Sequence, residues 1–135
     1  MTRQDEVLAV LGRLADAWNS GDAAAYAEVF TEDADYVTFF GLNLPGRERI
    51  ESSHRALFEG PLRGSKLGGF GEASVRFPRE DVAIVVSGGG SALDGGDAVA
   101  QGRGSTVTFV LVRETAGWRI TSFQNTRVSD PRAVA

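Results

Sequence analysis

A single histidine, His54, is the residue of this chain best suited to proton transfer near neutral pH, because an imidazole titrates in that range without help from its surroundings. The 135 residues include no cysteine, which excludes disulfides, thiolate nucleophiles and cysteine-based zinc sites. One histidine also provides no imidazole cluster of the kind that holds a catalytic zinc. We therefore expect no metal and no cofactor, and we assign any acid or base catalysis to His54.

The position of His54 depends on a predicted helix over residues 47–59. Ile50, Leu57 and Phe58 recur at three- and four-residue spacing with His54, which places all four side chains on one face. His54 is therefore expected to point inward. Two interpretations of it stay open: a general base or hydrogen-bond donor to a ligand, or a core histidine paired with a protein acceptor.

Two further helices are predicted near the N-terminus. Residues 4–19 carry apolar side chains at helical spacing. Gly21 is suited to the left-handed end of that helix, and Asp22 to the N-cap of the next, which is expected over residues 23–30.

The remaining chain predicts strands, from β-branched and aromatic runs bounded by turn residues. The strands are expected at residues 36–40, 73–77, 82–86, 105–113 and 118–128. Pro45 indicates a loop over 42–46, and Pro78 begins a turn over 78–81. Glycines crowd residues 87–104, which are interpreted as a long, mobile hairpin connection.

Helices followed by antiparallel strands define an α+β fold in which three helices cover one face of a curved antiparallel sheet. The chain, residues 1–135, has the length of one domain. A sheet that curves over helices forms a cone with an apolar interior, and such a concavity is the expected place for a ligand.

Charge and hydropathy exclude other partners. The net charge of −4 argues against nucleic acid and anionic membrane surfaces, which need clustered lysine and arginine. No apolar run approaches the roughly 20 residues that span a bilayer, and the N-terminus lacks the basic and apolar regions of a signal peptide. A cytoplasmic location is therefore expected.

Several side chains could meet a ligand in the cone. Tyr26 and Tyr36 each combine a hydroxyl with an apolar ring, although a buried tyrosine often serves only the core. The aromatic candidates are Trp18, Phe30, Phe39, Phe40, Phe58, Phe109 and Phe123. Arg76 and Arg103 are the basic residues expected nearest the rim, with simple exposure as the alternative.

Polar residues in the middle of the last strand suggest that it lines a site. Strict alternation places Asn125 with Phe123 and Thr121 on one face, and Gln124 with Ile120 on the other. One face is expected to meet the cavity and the other a second copy of the chain. Asn125 then either binds ligand oxygen or pairs with a neighbouring strand.

Four segments resemble the nuclear transport factor 2-like superfamily, in that family's order. They are residues 17–22 (AWNSGD), 30–34 (FTEDA), 45–50 (PGRERI) and 117–120 (GWRI). Residues 54–62 (HRALFEGPL), 75–77 (VRF) and 122–127 (SFQNTR) resemble a narrower SnoaL-like branch, the SgcJ/EcaC-type proteins of enediyne and other polyketide biosynthetic clusters.

The resemblance implies a cystatin-like α+β roll, a homodimer packed sheet to sheet, and a pocket between helices and sheet. It implies no single activity, since this fold hosts many. Where ketosteroid isomerases of the superfamily carry a tyrosine and a carboxylate base, this chain has Leu14 and Thr38. The late-strand aspartate of SnoaL-like cyclases also has no match, as Glu114 lies in a turn and Asp130 lies beyond the last strand.

Two functions are therefore weighed. One is cofactor-free acid/base chemistry by His54 on an apolar polyketide or enediyne-type polyene intermediate, as in a cyclase, isomerase or hydratase. The other is non-catalytic binding or chaperoning of such an intermediate. A third possibility is a protein-interaction dimer in which core side chains fill the pocket and no ligand binds. The residues expected to bind the hydrophobic ligand are Trp18, Tyr26, Tyr36, Thr38, Phe40, Phe58, Phe123 and Asn125.

Overall fold

The computed structural model describes residues 1–68, 70, 72–93, 96 and 102–133. These residues form three α-helices, a mixed six-stranded sheet, a two-stranded sheet and a short 3₁₀ helix. The elements are α1 (Arg3–Asn19), α2 (Ala23–Glu28), β1 (Phe30–Val37), β2 (Asn43–Pro45), α3 (Arg47–Glu59), β3 (Lys66–Leu67), β4 (Ser74–Arg79), β5 (Val82–Gly89), β6 (Ser91–Ala92), β7 (Ser105–Glu114), β8 (Gly117–Arg127) and a 3₁₀ helix (Pro131–Ala133). Among the described helices, none has both the length and the apolar character needed to cross a membrane.

Helix α1 begins at a reciprocal capping box. The Asp5 N–H donates to Thr2 Oγ1 at 3.1 Å, and the Thr2 N–H donates to the Asp5 carboxylate at 3.0 Å. Gly21, at φ 68°, ends the helix in the left-handed conformation, and the Asp22 carboxylate then caps α2 by accepting from the Ala25 N–H at 3.0 Å. The predicted helix 4–19 is thus confirmed, and its apolar stripe is buried at Val7, Val10, Leu11, Leu14, Ala17 and Trp18.

The predicted boundary between the second helix and the first strand was wrong. Helix α2 ends at Glu28, and Phe30, expected in that helix, begins strand β1. Phe39 and Phe40, expected in the strand, lie in the turn that follows it. The register of β1 shifts between Phe30 and Asp35, so its burial does not alternate, and pairing with β8 overrides the local pattern.

The strands form one sheet in the order β2-β1-β8-β7-β5-β4, with β3 and β6 as a separate pair. The expectation of a wholly antiparallel sheet needs one correction, because β1 runs parallel to β8. Pro45 and Pro78 were expected in a loop and a turn, yet they lie in β2 and β4. Both strands are at the edges of the sheet, where a missing N–H interrupts no interior ladder.

The glycine-rich stretch 87–104 contains more strand than expected. Ser87 to Gly89 continue β5, and β6 pairs with β3. Residues 94, 95 and 97–101 of the predicted mobile connection lie outside the described residues.

A bulge in β8 corrects the predicted alternation of that strand. Leu111 pairs with Ile120 and Val110 with Ser122, so Thr121 is an extra residue without a partner in β7. The extra residue shifts the side-chain period by one. Ile120, expected on the opposite face, therefore shares the inner face with Phe123 and Asn125.

The core fills the space between the helices and the inner face of the sheet. Its largest fully buried side chains include Leu11 and Leu14 from α1, Ile50 from α3, and Phe109 and Ile120 from the sheet. These residues belong to one continuous apolar cluster, which leaves a cavity next to α3 and the ends of β7 and β8.

Candidate functional site

A cavity of about 290 Å³ lies between the helices and the inner face of the sheet. Its apolar wall is formed by Leu14, Trp18, Phe39, Phe40, Leu44, Leu57, Pro61, Leu62, Leu67, Phe70, Val107 and Phe123. Its polar side chains are Tyr26, Tyr36, Thr38, His54, Ser91, Arg103, Ser105, Asn125 and Arg127. These polar side chains form two groups at different depths.

The deeper group, which we call the inner cluster, consists of Tyr26, Tyr36 and His54. All three are buried, with 2%, 6% and 2% of their surface exposed. The two phenol oxygens are 2.7 Å apart, and the Tyr36 oxygen lies 3.1 Å from His54 Nε2. His54 Nδ1 lies 2.7 Å from the carbonyl oxygen of Ile50, one helical turn earlier.

The Ile50 carbonyl sets the direction of every hydrogen bond in the inner cluster. A carbonyl can only accept, so His54 Nδ1 carries the proton and Nε2 is the lone pair. Tyr36 then donates its hydroxyl proton to Nε2, and its oxygen accepts the proton of Tyr26. Every N–H and O–H of the inner cluster is therefore bound to a protein acceptor.

Burial keeps the inner cluster neutral. It lowers the pKa of His54 to about 4, against a smaller upward effect of the bond to Ile50. It also raises the pKa of Tyr36, which the hydrogen bond from Tyr26 partly offsets. The pKa of Tyr26 is raised by burial and by the neighbouring Tyr36. At neutral pH the cluster is an uncharged imidazole with two uncharged phenols.

Aromatic rings fix the inner cluster in place. The His54 ring centroid lies 4.4 Å from that of Tyr26 and 6.0 Å from that of Trp18. Phe123 stacks on Tyr36 at 4.2 Å. The indole N–H of Trp18 donates to Ser65 Oγ at 3.1 Å, so Trp18 offers a ligand an apolar surface and no donor.

The outer polar side chains lie near the opening of the cavity. We call this opening the cavity mouth and define it by Phe39, Phe40, Arg103 and Arg127, which are partly or largely exposed. The guanidinium carbon of Arg127 lies 4.1 Å from the centroid of the Phe39 ring, within cation–π distance. Phe40 is 67% exposed and borders the cavity from outside.

Near the mouth, Ser105 Oγ, Asn125 Oδ1 and Arg127 Nε are buried and have no hydrogen-bond partner among the described residues. Ser105 pairs directly with Arg127 across β7 and β8, and Asn125 precedes Arg127 by two residues on the same face. The unpaired atoms are therefore neighbours. Because buried polar groups normally find partners, this is the place in the cavity where a ligand's polar atoms would be accepted.

The structure brings most of the predicted site residues together around the cavity. Those that line it are Trp18, Tyr26, Tyr36, Thr38, Phe40, His54, Phe123 and Asn125. Phe58 was predicted to bind ligand but is not among the lining residues; its ring packs on Trp18 at 5.1 Å, in the layer behind the wall. Of the two arginines considered for the rim, Arg103 lines the cavity, whereas Arg76 is exposed on edge strand β4 and is not among the lining residues.

Ser91, Ser105 and Arg127 are polar lining residues that the sequence interpretation missed. Arg127 follows Phe123 and Asn125 at two-residue spacing, and that period in the strand was the available signal. It was overlooked because an arginine near a strand end is usually exposed. In the described part of the chain, no three acidic or histidine side chains lie close enough together to hold a metal ion.

The curved sheet, the helices that cover its inner face and the cavity between them define the cystatin-like, nuclear transport factor 2-like class of α+β proteins. Solved structures of that class superimpose on nearly the whole chain. A domain of unknown function from Nostoc punctiforme is 30% identical, with a TM-score of 0.85 over 97% of this chain and 80% of that one.

Two further structures show the same fold. An NTF2-like protein from Novosphingobium aromaticivorans is 26% identical, with a TM-score of 0.75 over 96% of this chain and 84% of that one. Aln2 from a Streptomyces species is 21% identical, with a TM-score of 0.77 over 92% of this chain and 89% of that one. A search of curated proteins found no match. The chain belongs to the SnoaL-like domain family, whose model matches residues 7–125.

Proposed function

We propose that this protein binds an apolar small molecule in the cavity, with the ligand body against the aromatic wall. The observation that supports this most directly is a cavity of about 290 Å³ whose innermost polar groups are already paired with one another. An apolar ligand can therefore pack against the inner cluster without leaving any of its polar groups unpaired. The resemblance to SgcJ/EcaC-type proteins suggests a polyketide or enediyne-type polyene intermediate as the ligand class.

The inner cluster favours binding over catalysis in its resting state. The lone pair of His54 Nε2, the only atom there suited to take a proton, already accepts the Tyr36 hydroxyl. The lowered pKa of His54 also makes its imidazole a weak base. A ligand that only fills the cavity leaves these bonds intact.

Acid/base catalysis is the second candidate, and the position of Tyr36 between Tyr26 and His54 supports it. In such a step His54 Nε2 takes a proton from a carbon next to the ligand's carbonyl. The Tyr36 hydroxyl leaves Nε2 and donates to the enolate oxygen that forms, while Tyr26 continues to donate to Tyr36. Return of the proton from Nε2 to another ligand carbon completes an isomerisation with no cofactor.

Fluorescence of N-phenyl-1-naphthylamine, an apolar dye that brightens in dry cavities, tests the binding proposal. We expect saturable binding that weakens when Leu14→Phe fills part of the cavity. Leu8→Phe, on the exposed side of the same helix, is the control and is expected to bind like the wild type. Absence of dye binding, or equal binding by both variants, would contradict the proposal.

Deuterium uptake separates the two candidates. The α-carbon of 2-tetralone, a small aromatic ketone, exchanges hydrogen slowly in D₂O, and NMR follows the rate. Acid/base catalysis requires exchange above the buffer rate that falls in His54→Gln while dye binding remains. If the wild type binds the ketone without accelerating its exchange, the binding function stands and the catalytic candidate fails for this substrate.

We also propose a homodimer formed through the outer face of the sheet. Val82, Ile84 and Val86 alternate outward on β5, and Val110 and Val112 lie beside them on β7, with Ile84 paired to Val110. This apolar strip has no cover within the described part of the chain. Light scattering is expected to give twice 14.4 kDa for the wild type.

Two lysine substitutions test that interface. Val86 is 41% exposed on the strip and Leu8 is 37% exposed on α1, so they are matched in burial. Val86→Lys is expected to give a folded monomer, because the dimer would bury its charge. Leu8→Lys is expected to stay dimeric. A monomeric wild type, or a Val86→Lys protein that remains dimeric, contradicts the proposed interface.

A further inference from the structure

The cavity mouth concentrates positive charge that has no counter-ion among the described residues. Arg103 and Arg127 both line it, and every ion pair in the described part of the chain involves other arginines. Burial and the nearby charge of Arg103 lower the pKa of Arg127, so the two guanidinium groups repel each other across the mouth. An anion between them would relieve that repulsion.

Hydrogen bonds within the described part of the chain hold the two guanidinium groups and use only some of their donors. Arg103 donates from Nε to the Ser91 carbonyl at 2.6 Å and from one terminal nitrogen to Ser91 Oγ at 2.7 Å. Arg127 donates from Nη1 to the Gly102 carbonyl at 3.2 Å, and Phe39 packs against its guanidinium. These contacts orient both side chains before a ligand arrives, which lowers the entropy cost of binding.

The three buried atoms that have no hydrogen-bond partner among the described residues lie beside these charges. Arg127 Nε is a donor, and Ser105 Oγ, on a side chain only 4% exposed, can donate or accept. Asn125 Oδ1 is an acceptor, and rotation of the amide by half a turn replaces it with a donor. Adjacent donors around a pair of cations match the two oxygens of a carboxylate.

We propose that the cavity mouth binds a carboxylate on the ligand, held by Arg103 and Arg127 with Ser105 and Asn125, while the rest of the ligand fills the apolar cavity. This inference rests on the proposed binding function and gives its ligand a chemical class: an amphipathic acid whose apolar body enters first. The inner cluster then contacts the apolar end, and the carboxylate stays at the partly exposed end.

Displacement of N-phenyl-1-naphthylamine by decanoate and by decanamide tests this assignment. The two competitors share a chain and head size, and differ in the charge of the head. The wild type is expected to bind decanoate at least about tenfold more tightly, the effect of one charge-assisted hydrogen bond. That preference is expected to shrink as salt rises, because the mouth is open to solvent.

Arginine variants locate the effect. Arg127→Gln is expected to bring the two dissociation constants close together and Arg127→Lys to keep part of the preference, while dye binding persists in both. Arg76→Gln removes the same charge from an exposed position outside the cavity and is expected to keep the full preference. Equal affinity for decanoate and decanamide in the wild type, or a preference that survives Arg127→Gln and Arg103→Gln, overturns the proposal.

Two controls separate the remaining explanations. Asp94 and Asp97 lie outside the described residues; if decanoate is preferred only in an Asp94→Asn, Asp97→Asn variant, the arginines serve internal carboxylates and the proposal is wrong. If the dye itself fails to bind the wild type, the proposed apolar function is wrong. If the dye binds and the acid has no advantage, only the carboxylate assignment is wrong.

Discussion

Tyr36 donates its hydroxyl proton to Nε2 of His54 across 3.1 Å, and the two rings meet edge to face with their centroids 4.9 Å apart. The Ile50 carbonyl on the other side of the imidazole fixes the tautomer that makes this donation possible. Tyr36 and His54 thus behave as one unit. Its stability, its protonation and its availability to a ligand are coupled.

The first prediction concerns the dependence of stability on pH. The pKa of His54 is lowered from 6.5 to about 4 in the folded protein, so between these values the unfolded chain binds more protons. Neutral His54 therefore makes its full contribution to the free energy of unfolding above pH 6.5. As the pH drops toward 4 this contribution is lost, and the free energy of unfolding falls by on the order of 3 kcal/mol in total.

Urea denaturation at pH 7, 6, 5 and 4 measures this effect. His54→Gln cannot ionise, so its free energy of unfolding is expected to change less over the same range. Asp5 and Asp130, whose pKa values are lowered by hydrogen bonds to Thr2 and Arg132 respectively, affect both proteins equally and at more acid pH. Parallel pH profiles for wild type and His54→Gln would show that the imidazole is not held neutral.

The second prediction separates the two tyrosines. Tyr36→Phe removes the acceptor of Tyr26 and the donor to His54, leaving two buried groups unpaired. We expect a loss of about 2–5 kcal/mol in the free energy of unfolding. Tyr26→Phe removes one donor and leaves the bond from Tyr36 to His54 in place, so a loss of about 1 kcal/mol is expected.

Chemical denaturation of both variants at pH 7 gives these values, and nitrogen NMR of the imidazole gives an independent readout. In wild type and in Tyr26→Phe, Nδ1 of His54 is expected to carry the proton and Nε2 to be hydrogen-bonded. Tyr36→Phe is expected to change the nitrogen chemical shift of His54 Nε2, because it removes the hydrogen bond to that atom. Equal losses in stability from the two substitutions would contradict the hydrogen-bond direction assigned to this cluster.

Helical periodicity predicted α3 and the inward direction of His54, because a helix face is set by spacing within the helix itself. The start of β1 could not be predicted in this way. Phe30 joins the strand through pairing with Ile120, 90 residues away, and the register shift that follows hides any alternation. Local propensity carries no information about such a partner.

The candidate site, like the fold, could be predicted only in part from the sequence. Most of the aromatic lining follows from which residues are apolar, and the curved fold brings them together. The face of Ile120 was not predictable, because the extra residue at Thr121 reverses the period of β8 partway along the strand. Side chains after the bulge, from Phe123 to Arg127, could be related to one another but not to the residues before it.

The last prediction concerns Gly46, the residue before helix α3. Its φ of 87° and ψ of 149° place it in a region open almost only to glycine, and its N–H donates to the Ala34 carbonyl at 2.7 Å. An added Cβ would meet the Glu32 carbonyl oxygen at 3.5 Å, an ordinary contact, so the cost of Gly46→Ala is conformational. We expect a loss of about 1–3 kcal/mol in the free energy of unfolding.

Gly12→Ala is the matched control, because Gly12 lies in the exposed middle of α1 with nothing within 4 Å of an added Cβ. Alanine is the better helix former there, and a gain of about 0.5–1 kcal/mol is expected. Opposite signs from one substitution at two glycines are the measurable outcome of thermal or urea denaturation. If Gly46→Ala is as well tolerated as Gly12→Ala, the chain enters α3 through another backbone conformation, and the helix that carries His54 starts differently.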